Sequence, residues 1–380
     1  MKVLFTGGGT IGSVSPLLAV LERLTLSPKP FTREISVKGR DKQYEFLWVG
    51  TRYGTEKELV ASYKIPYKAI FSGKLDRYFS WQNFVSPVFI ILGFFQSLSI
   101  ILKARPQIIL SAGSFVSVPI VFVAWILRIP ILIHQQDVRP GFANKLMSPF
   151  ARCITVTFEK SLADFPKGKV VWTGNPMREE VLKGDEKRAK KFFDLQEDLP
   201  TLLIFGGGTG ALRINELIVK SLPELLKFCQ IIHLTGRGRR VNKVNKVEKV
   251  IERYHAYEFL TKEMADAYAV SDIVVSRCGL STLTELSLLG KPAILIPIPR
   301  SHQEENAKVF AEAWAAVVLD QRNLTSECLV KQIKSLLENR DKIRELSQNI
   351  KRIMKPNATE KIVEEIEKII SDSEIQPPNI

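Results

Sequence analysis

The sequence is poor in cysteine and histidine, with only four of each in 380 residues. Cys153, Cys229, Cys278 and Cys328 stand far apart with no CxxC pair. That excludes a disulfide framework and a cysteine-rich zinc site, and it fits a reducing cytosol. No group of His, Cys, Asp and Glu has metal-ligand spacing, so no metal is expected. A long unbroken apolar run is also missing. The nearest, residues 84–102, has about the length of a membrane helix. Ser86-Pro87, Gly93, Gln96, Ser97 and Ser99 interrupt it, so it reads as an interfacial or amphipathic helix rather than a span. Met1–Thr6 runs straight into glycines, which gives the expectation of no signal peptide. Acid is the scarcer charge, with 40 Asp and Glu against 54 Lys and Arg, a net charge of +14. The surplus favours a polyanionic partner: nucleic acid, an anionic membrane or a phosphorylated substrate. At 45% hydrophobic and 25% charged, the chain is neither disordered nor collagen-like and has room for two domains.

What is present is an alternation of strand, glycine loop and helix. Lys2–Thr6 leads into Gly7-Gly8-Gly9-Thr10 and a helix over 16–23. Further strands are expected at 45–49, 107–110, 131–134 and 153–157, with a helix over 118–127. The second half restarts in the same way: strand 201–205, then Gly206-Gly207-Gly208-Thr209-Gly210, then a helix from Arg213. Strands at 230–234, 273–276 and 293–297 follow. This predicts an α/β protein of two Rossmann-like domains with parallel sheets, facing each other across a cleft. The join is placed near Gly174-Asn175-Pro176, giving domains 1–175 and 176–354. A last helix over 359–370 returns to the first domain, and 371–380 is read as a polar tail. Segments 26–44 and 237–249 read as solvated loops. No aromatic-interleaved stacking surface accompanies their charge, which argues against nucleic acid.

Gly7-Gly8-Gly9-Thr10-Ile11-Gly12 fits GxGxxG, a turn whose backbone amides can approach a phosphate at a helix N-terminus. A dinucleotide site also wants an acid at the end of the next strand. Val49-Gly50-Thr51-Arg52 has none there. Gly206–Gly210 is a second cradle, and two cradles suit two phosphorylated molecules. The segment Ser276-Arg277-Cys278-Gly279-Leu280-Ser281-Thr282-Leu283-Thr284-Glu285 has two readings. One is a local capping box from Thr282 to Glu285. The other is a carboxylate on a ribose diol beside helix amides that face a diphosphate.

The blocks GGGTIGSVSPLLAV, SAGSFVSVP, HQQDVRPGFANK, TGNPMR, FGGGTGALRIN, SRCGLSTLTEL and PIPRSHQEENA, spread from Gly7 to Asn306, resemble the MurG-type family. The resemblance implies the GT-B architecture. It also implies an inverting, metal-independent transfer of GlcNAc from UDP-GlcNAc to the C4 hydroxyl of MurNAc in lipid I (undecaprenyl-pyrophosphoryl-MurNAc-pentapeptide), giving lipid II for peptidoglycan. No cofactor is implied, and the place is the cytoplasmic face of the membrane. By the same resemblance, Glu285 binds the ribose and Leu260 lies by the uracil. Gly208, Thr209, Gly210, Ser281 and Thr282 line the diphosphate, balanced by Arg178 and Arg277. Gln303 and Asn306 contact the sugar, and Asn215 sits near the donor. Gly8, Gly9, Thr10 and Gly12 cradle the acceptor pyrophosphate.

The sequence departs from the family pattern at two main places. Ser13 stands where the family's candidate catalytic histidine stands, and a serine is no base without an activating partner. The family's HEQN block reads His134-Gln135-Gln136-Asp137, and Phe115 replaces a common aromatic hydroxyl. Asp137 is therefore the candidate general base, with His134 orienting or substituting for it. His134 as a satisfied strand-end histidine and Asp137 as a turn cap are the competing readings. Trp81, Phe84, Phe89 and Phe94, rimmed by Lys74, Arg77, Lys103 and Arg105, carry a peripheral-membrane signature for an anionic surface. The alternatives are another GT-B lipid glycosyltransferase, a UDP-GlcNAc epimerase, or a non-catalytic homologue suggested by Ser13 and Gln135.

Overall fold

The computed structural model describes residues 1–9, 11–26, 44–54, 56–72, 82–207, 210–236, 238 and 251–375, with backbone alone at 11, 82–88, 251 and 374–375. The expected loops at 26–44 and 237–249 fall almost wholly outside them. Contacts divide the chain into two units. Unit 1 is Met1–Arg178 together with the C-terminal segment from Pro356, and unit 2 is Glu179–Lys355.

Unit 1 runs β1 (Lys2–Thr6), α1 (Ser15–Leu26), β2 (Glu45–Gly50), α2 (Glu56–Ser62), β3 (Tyr67–Ala69), α3 (Gln82–Ala104), β4 (Ile108–Ser111), α4 (Ser117–Ile126), β5 (Ile131–Gln135), α5 (Phe142–Met147), β6 (Cys153–Val156) and β7 (Val170–Trp172). Its seven strands lie in the order β3-β2-β1-β4-β5-β6-β7, and every neighbouring pair is parallel. A parallel sheet is covered on both faces, so its strands are apolar on both sides. In β1, Val3 and Phe5 enter one core with Leu17, Leu21 and Leu24 of α1. Leu4 enters the other, with Ile101, Ile120 and Val123.

Unit 2 repeats the plan. It runs α6 (Glu186–Phe193), β8 (Thr201–Phe205), α7 (Leu212–Leu225), β9 (Gln230–Leu234), β10 (Tyr254–Tyr257), α8 (Glu263–Val270), β11 (Ile273–Ser276), α9 (Leu280–Leu289), β12 (Ala293–Leu295), α10 (His302–Glu312), β13 (Val317–Val318), α11 (Ser326–Glu338) and α12 (Arg340–Ile350). Its sheet has the order β10-β9-β8-β11-β12-β13 and is again parallel. Arg188 of α6 grips the buried Asp266 of α8, and the pair holds Asp266 below the usual carboxylate range. Lys291 donates to the Ala269 and Ser271 carbonyls at 3.0 and 2.9 Å, closing the C-terminal end of α8.

Strands β3, β7, β10 and β13 were not expected from the sequence. All four lie at sheet edges and have two to four residues, too short for an apolar run to stand out. Helix α13 (Ala358–Ile375) also corrects the expected tail, because it continues past 370. The Ser373 hydroxyl donates to the Ile369 carbonyl at 2.8 Å, so the polar last turn still bonds as helix. Ile362, Val363, Ile366, Ile369 and Ile370 recur at helical spacing and bury against the α1 side of the unit 1 sheet.

Ile366 is fully buried whereas Glu364 is exposed. Ile366→Ala should lower the stability of unit 1 by about 2–5 kcal/mol, and Glu364→Ala should change it by less than about 0.5 kcal/mol. Denaturant titration of the two variants checks this.

Candidate functional site

In an open parallel sheet, ligands bind beyond the carboxyl ends of the strands where strand order reverses. In unit 1 that point lies between β1 and β4, and in unit 2 between β8 and β11. Each glycine loop leaves the first strand of its pair. The turns at 112–116 and 277–279 leave the second.

The unit 1 loop is held from behind. The Trp48 indole stacks on Phe5 at 5.7 Å and donates to the Gly7 carbonyl at 3.1 Å. Gly9 adopts φ +85° and donates its amide to Glu56 Oε2 at 3.1 Å. The fully buried Glu56 carboxylate also accepts the Thr51 amide at 2.9 Å and the Thr51 hydroxyl. A buried carboxylate persists when N–H and O–H donors surround it in this way. A Cβ at Gly8 would collide with that carboxylate, so a larger residue there would have to displace Glu56 from its donors. The Tyr67 hydroxyl donates to the Thr51 carbonyl at 2.6 Å, and burial together with Glu56 raises its pKa. Gly12 is exposed, and Thr10 lies outside the described residues. The Ser13 hydroxyl donates to the Gly8 carbonyl at 3.2 Å, a bond that braces the loop.

Glu56 is the residue that the sequence reading missed. An acid was sought at the end of β2, for a ribose. It arrives instead from the start of α2 and grips the loop.

His134, next to last in β5, is 1% exposed. Its Nδ1 meets the Thr155 hydroxyl at 2.9 Å and its Nε2 meets Asn175 Oδ1 at 2.9 Å. Burial pushes its pKa down to about 4. Enclosed and engaged at both nitrogens, it is the satisfied strand-end histidine, and a substitute base is not what this geometry offers. Asp137 is half-buried, and the Gln135 amide donates to the Asp137 carbonyl at 2.7 Å and the Arg139 carbonyl at 3.2 Å. Those carbonyls only accept, so they orient Gln135. Its Oε1 then faces Asn144, whose Nδ2 donates to it at 2.6 Å. Asn144 Oδ1 is left buried beside Gly113 without a partner among the described residues. Ser114 adopts φ +85°, rare for a non-glycine residue, in the same turn.

In unit 2, Gly210 adopts φ +70°, while Gly208 and Thr209 lie outside the described residues. Asn215 is buried, with Nδ2 on the Thr235 carbonyl at 2.8 Å and Oδ1 on His233 Nε2 at 3.1 Å. Its amide therefore braces the loop rather than reaching a ligand. The α9 N-cap is Gly279 and carries no side-chain bond, so the Thr282–Glu285 capping box is absent. Glu285 instead accepts the hydroxyl of fully buried Tyr268 at 2.7 Å. The Ser281 hydroxyl is buried with no partner among the described residues, and Thr282 is half-buried beside it.

Three other residues expected on the donor side are engaged within the protein or buried. Arg277 is buried and donates to the Ile296 and Pro297 carbonyls at 2.9 and 3.3 Å and to Gln321. It braces the end of β12, and desolvation lowers its pKa. Asn306 is fully buried and donates to the Cys278 carbonyl at 3.2 Å, too enclosed to touch a sugar. The Leu260 side chain is buried, and the exposed apolar group beside it is Phe259. Gln303 Oε1 accepts the Cys278 and Ile298 amides, each at 3.2 Å, which leaves its NH2 as the group to offer. Arg178 is hydrogen-bonded to Tyr63 within unit 1. Among the described residues, no three His, Cys, Asp or Glu side chains gather as a metal site.

Residues 3–156 match the glycosyltransferase family 28 N-terminal domain and residues 201–368 its C-terminal domain. A Clostridium perfringens protein named UDP-N-acetylglucosamine–N-acetylmuramyl-(pentapeptide) pyrophosphoryl-undecaprenol N-acetylglucosamine transferase is 38% identical over 345 residues, covering 90% of this chain and 91% of that one. This chain belongs to the MurG family. The crystal structure of Acinetobacter baumannii MurG superposes with TM-score 0.71 at 26% identity, covering 97% and 99% of the two chains. The fold is thus the GT-B glycosyltransferase architecture of two parallel-sheet α/β domains. A UDP-GlcNAc 2-epimerase from Neisseria meningitidis shares that fold at TM-score 0.65 and 14% identity, covering 97% and 100% of the two chains.

The buried histidines set a pH dependence. His134 and His233 both sit near pKa 4 when folded, against an ordinary value of 6.5. The unfolded chain therefore binds the extra protons as pH falls below 6.5. Their contribution is intact above that value and declines toward the folded value. From pH 7 to pH 5 each should cost about 2 kcal/mol of stability. Denaturant unfolding at the two pH values checks this, and His134→Gln should remove its share of the difference.

Proposed function

We propose that this MurG-family enzyme transfers GlcNAc from UDP-GlcNAc to the C4 hydroxyl of MurNAc in lipid I, making lipid II at the cytoplasmic face of the membrane. The observation that carries this reading is the match to the named transferase over nine-tenths of both chains. Two glycine loops at two strand-order reversals support two phosphorylated substrates. In this reading unit 2 takes the donor. Glu285, oriented by Tyr268, holds the ribose diol. Gly208–Gly210, Ser281 and Thr282 face the diphosphate, and the Gln303 NH2 reaches the sugar. Unit 1 takes the acceptor pyrophosphate at Gly8–Gly12.

Asp137 takes the proton from the acceptor hydroxyl as its oxygen attacks the anomeric carbon. The bond from that carbon to the UDP oxygen breaks, UDP leaves with the electron pair, and the anomeric configuration inverts. His134 holds the end of β5, and Ser13 holds the loop. Asp137→Ala should lower kcat by about a hundredfold or more with the KM for UDP-GlcNAc little changed. The assay is disaccharide formation from UDP-GlcNAc and a short-chain lipid I analogue. Free UDP-ManNAc as the product supports the epimerase alternative. Substrate binding without product supports a non-catalytic homologue.

The membrane reading rests on unit 1. Among the described residues no helix is long and apolar enough to cross a membrane. Yet Ile91, Phe95 and Leu102 of α3 and Phe122, Trp125 and Ile126 of α4 are exposed. Phe94 joins the two helices, its ring 6.1 Å from Phe122, and Phe150 continues the patch 4.9 Å from Trp125. Lys103, Arg105 and Arg128 are exposed at the C-terminal ends of the same helices. Such a face with a basic rim fits an anionic bilayer. Phe94 is only half-buried, but Phe89 stacks on Phe71 at 5.3 Å and belongs to internal packing. Lys74, Arg77 and Trp81 lie outside the described residues, and the Phe84 side chain is not described. Phe95→Ser with Trp125→Ser should abolish co-sedimentation with phosphatidylglycerol vesicles while leaving the melting temperature within a few degrees of wild type.

A further inference from the structure

The unit 2 glycine loop rests on a relay of buried groups whose orientations are all determined. The Thr235 carbonyl lies directly under Gly210, so close that a Cβ there would collide with it. That carbonyl can only accept, so the Asn215 amide turns its Nδ2 toward it, at 2.8 Å. Asn215 Oδ1 then faces His233, and the contact at 3.1 Å requires a proton on His233 Nε2. His233 Nδ1 is therefore the acceptor for the Tyr254 hydroxyl at 2.8 Å. His233 is fully buried, and Asn215, Thr235 and Tyr254 are each less than a tenth exposed. With burial pushing its pKa down to about 4, His233 is neutral, as one donor and one acceptor require. Thr235 is fixed from its other side, where its amide donates to the Tyr257 carbonyl at 2.9 Å.

From this chain we infer that His233 is a positioning residue for donor binding. In one fixed tautomer it orients the Asn215 amide, which pins the Thr235 carbonyl beneath Gly210 and so fixes the position of Gly210, where the donor diphosphate is read to bind. Without the His233 N–H, the Asn215 amide is free to turn over, and its oxygen would then oppose the Thr235 oxygen. Tyr254 stands one step further back: its hydroxyl can donate or accept, and it donates to Nδ1 because the Thr235 carbonyl, through Asn215, has placed the proton on Nε2. The inference rests on the reading that the donor binds in unit 2.

The test compares His233→Phe, which removes the N–H, with His233→Gln, whose amide N–H stands in for Nε2–H. His233→Phe should raise the KM and Kd for UDP-GlcNAc about tenfold, in line with one lost buried hydrogen bond. The kcat at saturating donor and the KM for the lipid I analogue should not move, and His233→Gln should recover most of the loss. A folded His233→Phe protein with wild-type donor KM overturns the inference, as does a parallel rise in both KM values. Should His233→Phe not fold, nitrogen-15 NMR of the wild-type imidazole decides. The Nε2–H tautomer, shifting toward a mixture in Asn215→Leu, supports the relay, and an Nδ1–H wild type overturns it. Calorimetry of UDP-GlcNAc binding to unit 2 groups in the wild type separates the two claims. A wild type that binds no UDP-GlcNAc, or whose binding survives Glu285→Ala unchanged, removes the donor reading, while the NMR result still reports on the relay.

Discussion

A parallel sheet wound outward from its centre must reverse direction once, and the reversal leaves two neighbouring strand ends with their connections departing to opposite faces. Both units are organised about that gap. The first strand of each pair ends in glycines, because the chain must turn into a helix with its amides facing outward. Glycines alone do not hold such a turn in one shape. The holding groups come from elsewhere in the fold: Trp48 and Glu56 behind the first loop, Asn215, Thr235 and His233 behind the second. On the far side of each reversal, Asn144 near Gly113 and Ser281 after Gly279 each keep a buried side-chain oxygen without a partner among the described residues.

The glycine loops, the strand-helix alternation and the return of the last helix were legible from sequence, because each leaves a local pattern of composition or period. The bracing groups were not. Glu56 lies five residues beyond Thr51 and reaches back over a turn, a contact that no period of 2 or 3.6 marks. His233 lies in no loop motif and acts through two other side chains. For Arg277 and Asn306 a related limit holds: motif position does not say whether a polar side chain faces a ligand or the protein's own carbonyls, and both donate to carbonyls. The exposed aromatic face followed the same rule. Sequence singled out Phe89 and Phe94, while Phe122 and Trp125 join the patch only because α4 packs beside α3.

The interruptions in the apolar run over 84–102 show how one feature can be read twice. In sequence they argue against a membrane span. In the fold they are packing devices. Gly93 lets α3 pass against the Phe71 backbone, where a Cβ would collide with its carbonyl. Gln96 accepts the Phe71 amide at 2.8 Å, and Ser97 bonds back to the Gly93 carbonyl at 2.6 Å. Gly93, Gln96 and Ser97 thus face the protein, while Ile91, Phe95 and Leu102 of the same helix face outward.

The two loops are braced with different charge, and the difference bears on which substrate each receives. Behind the first loop stands a carboxylate, and the Gly9 amide already donates to it. An incoming pyrophosphate there finds one amide fewer and meets a fixed negative charge, so it must be held from its outer side as well. Behind the second loop the braces are an amide and a neutral imidazole, and helix α7 has Ala211 as its N-cap, with no side-chain cap on its first amides. Its dipole is left to act on an anion without a competing charge. By its bracing alone the second loop is the stronger cradle for an anion, because no carboxylate braces it from behind.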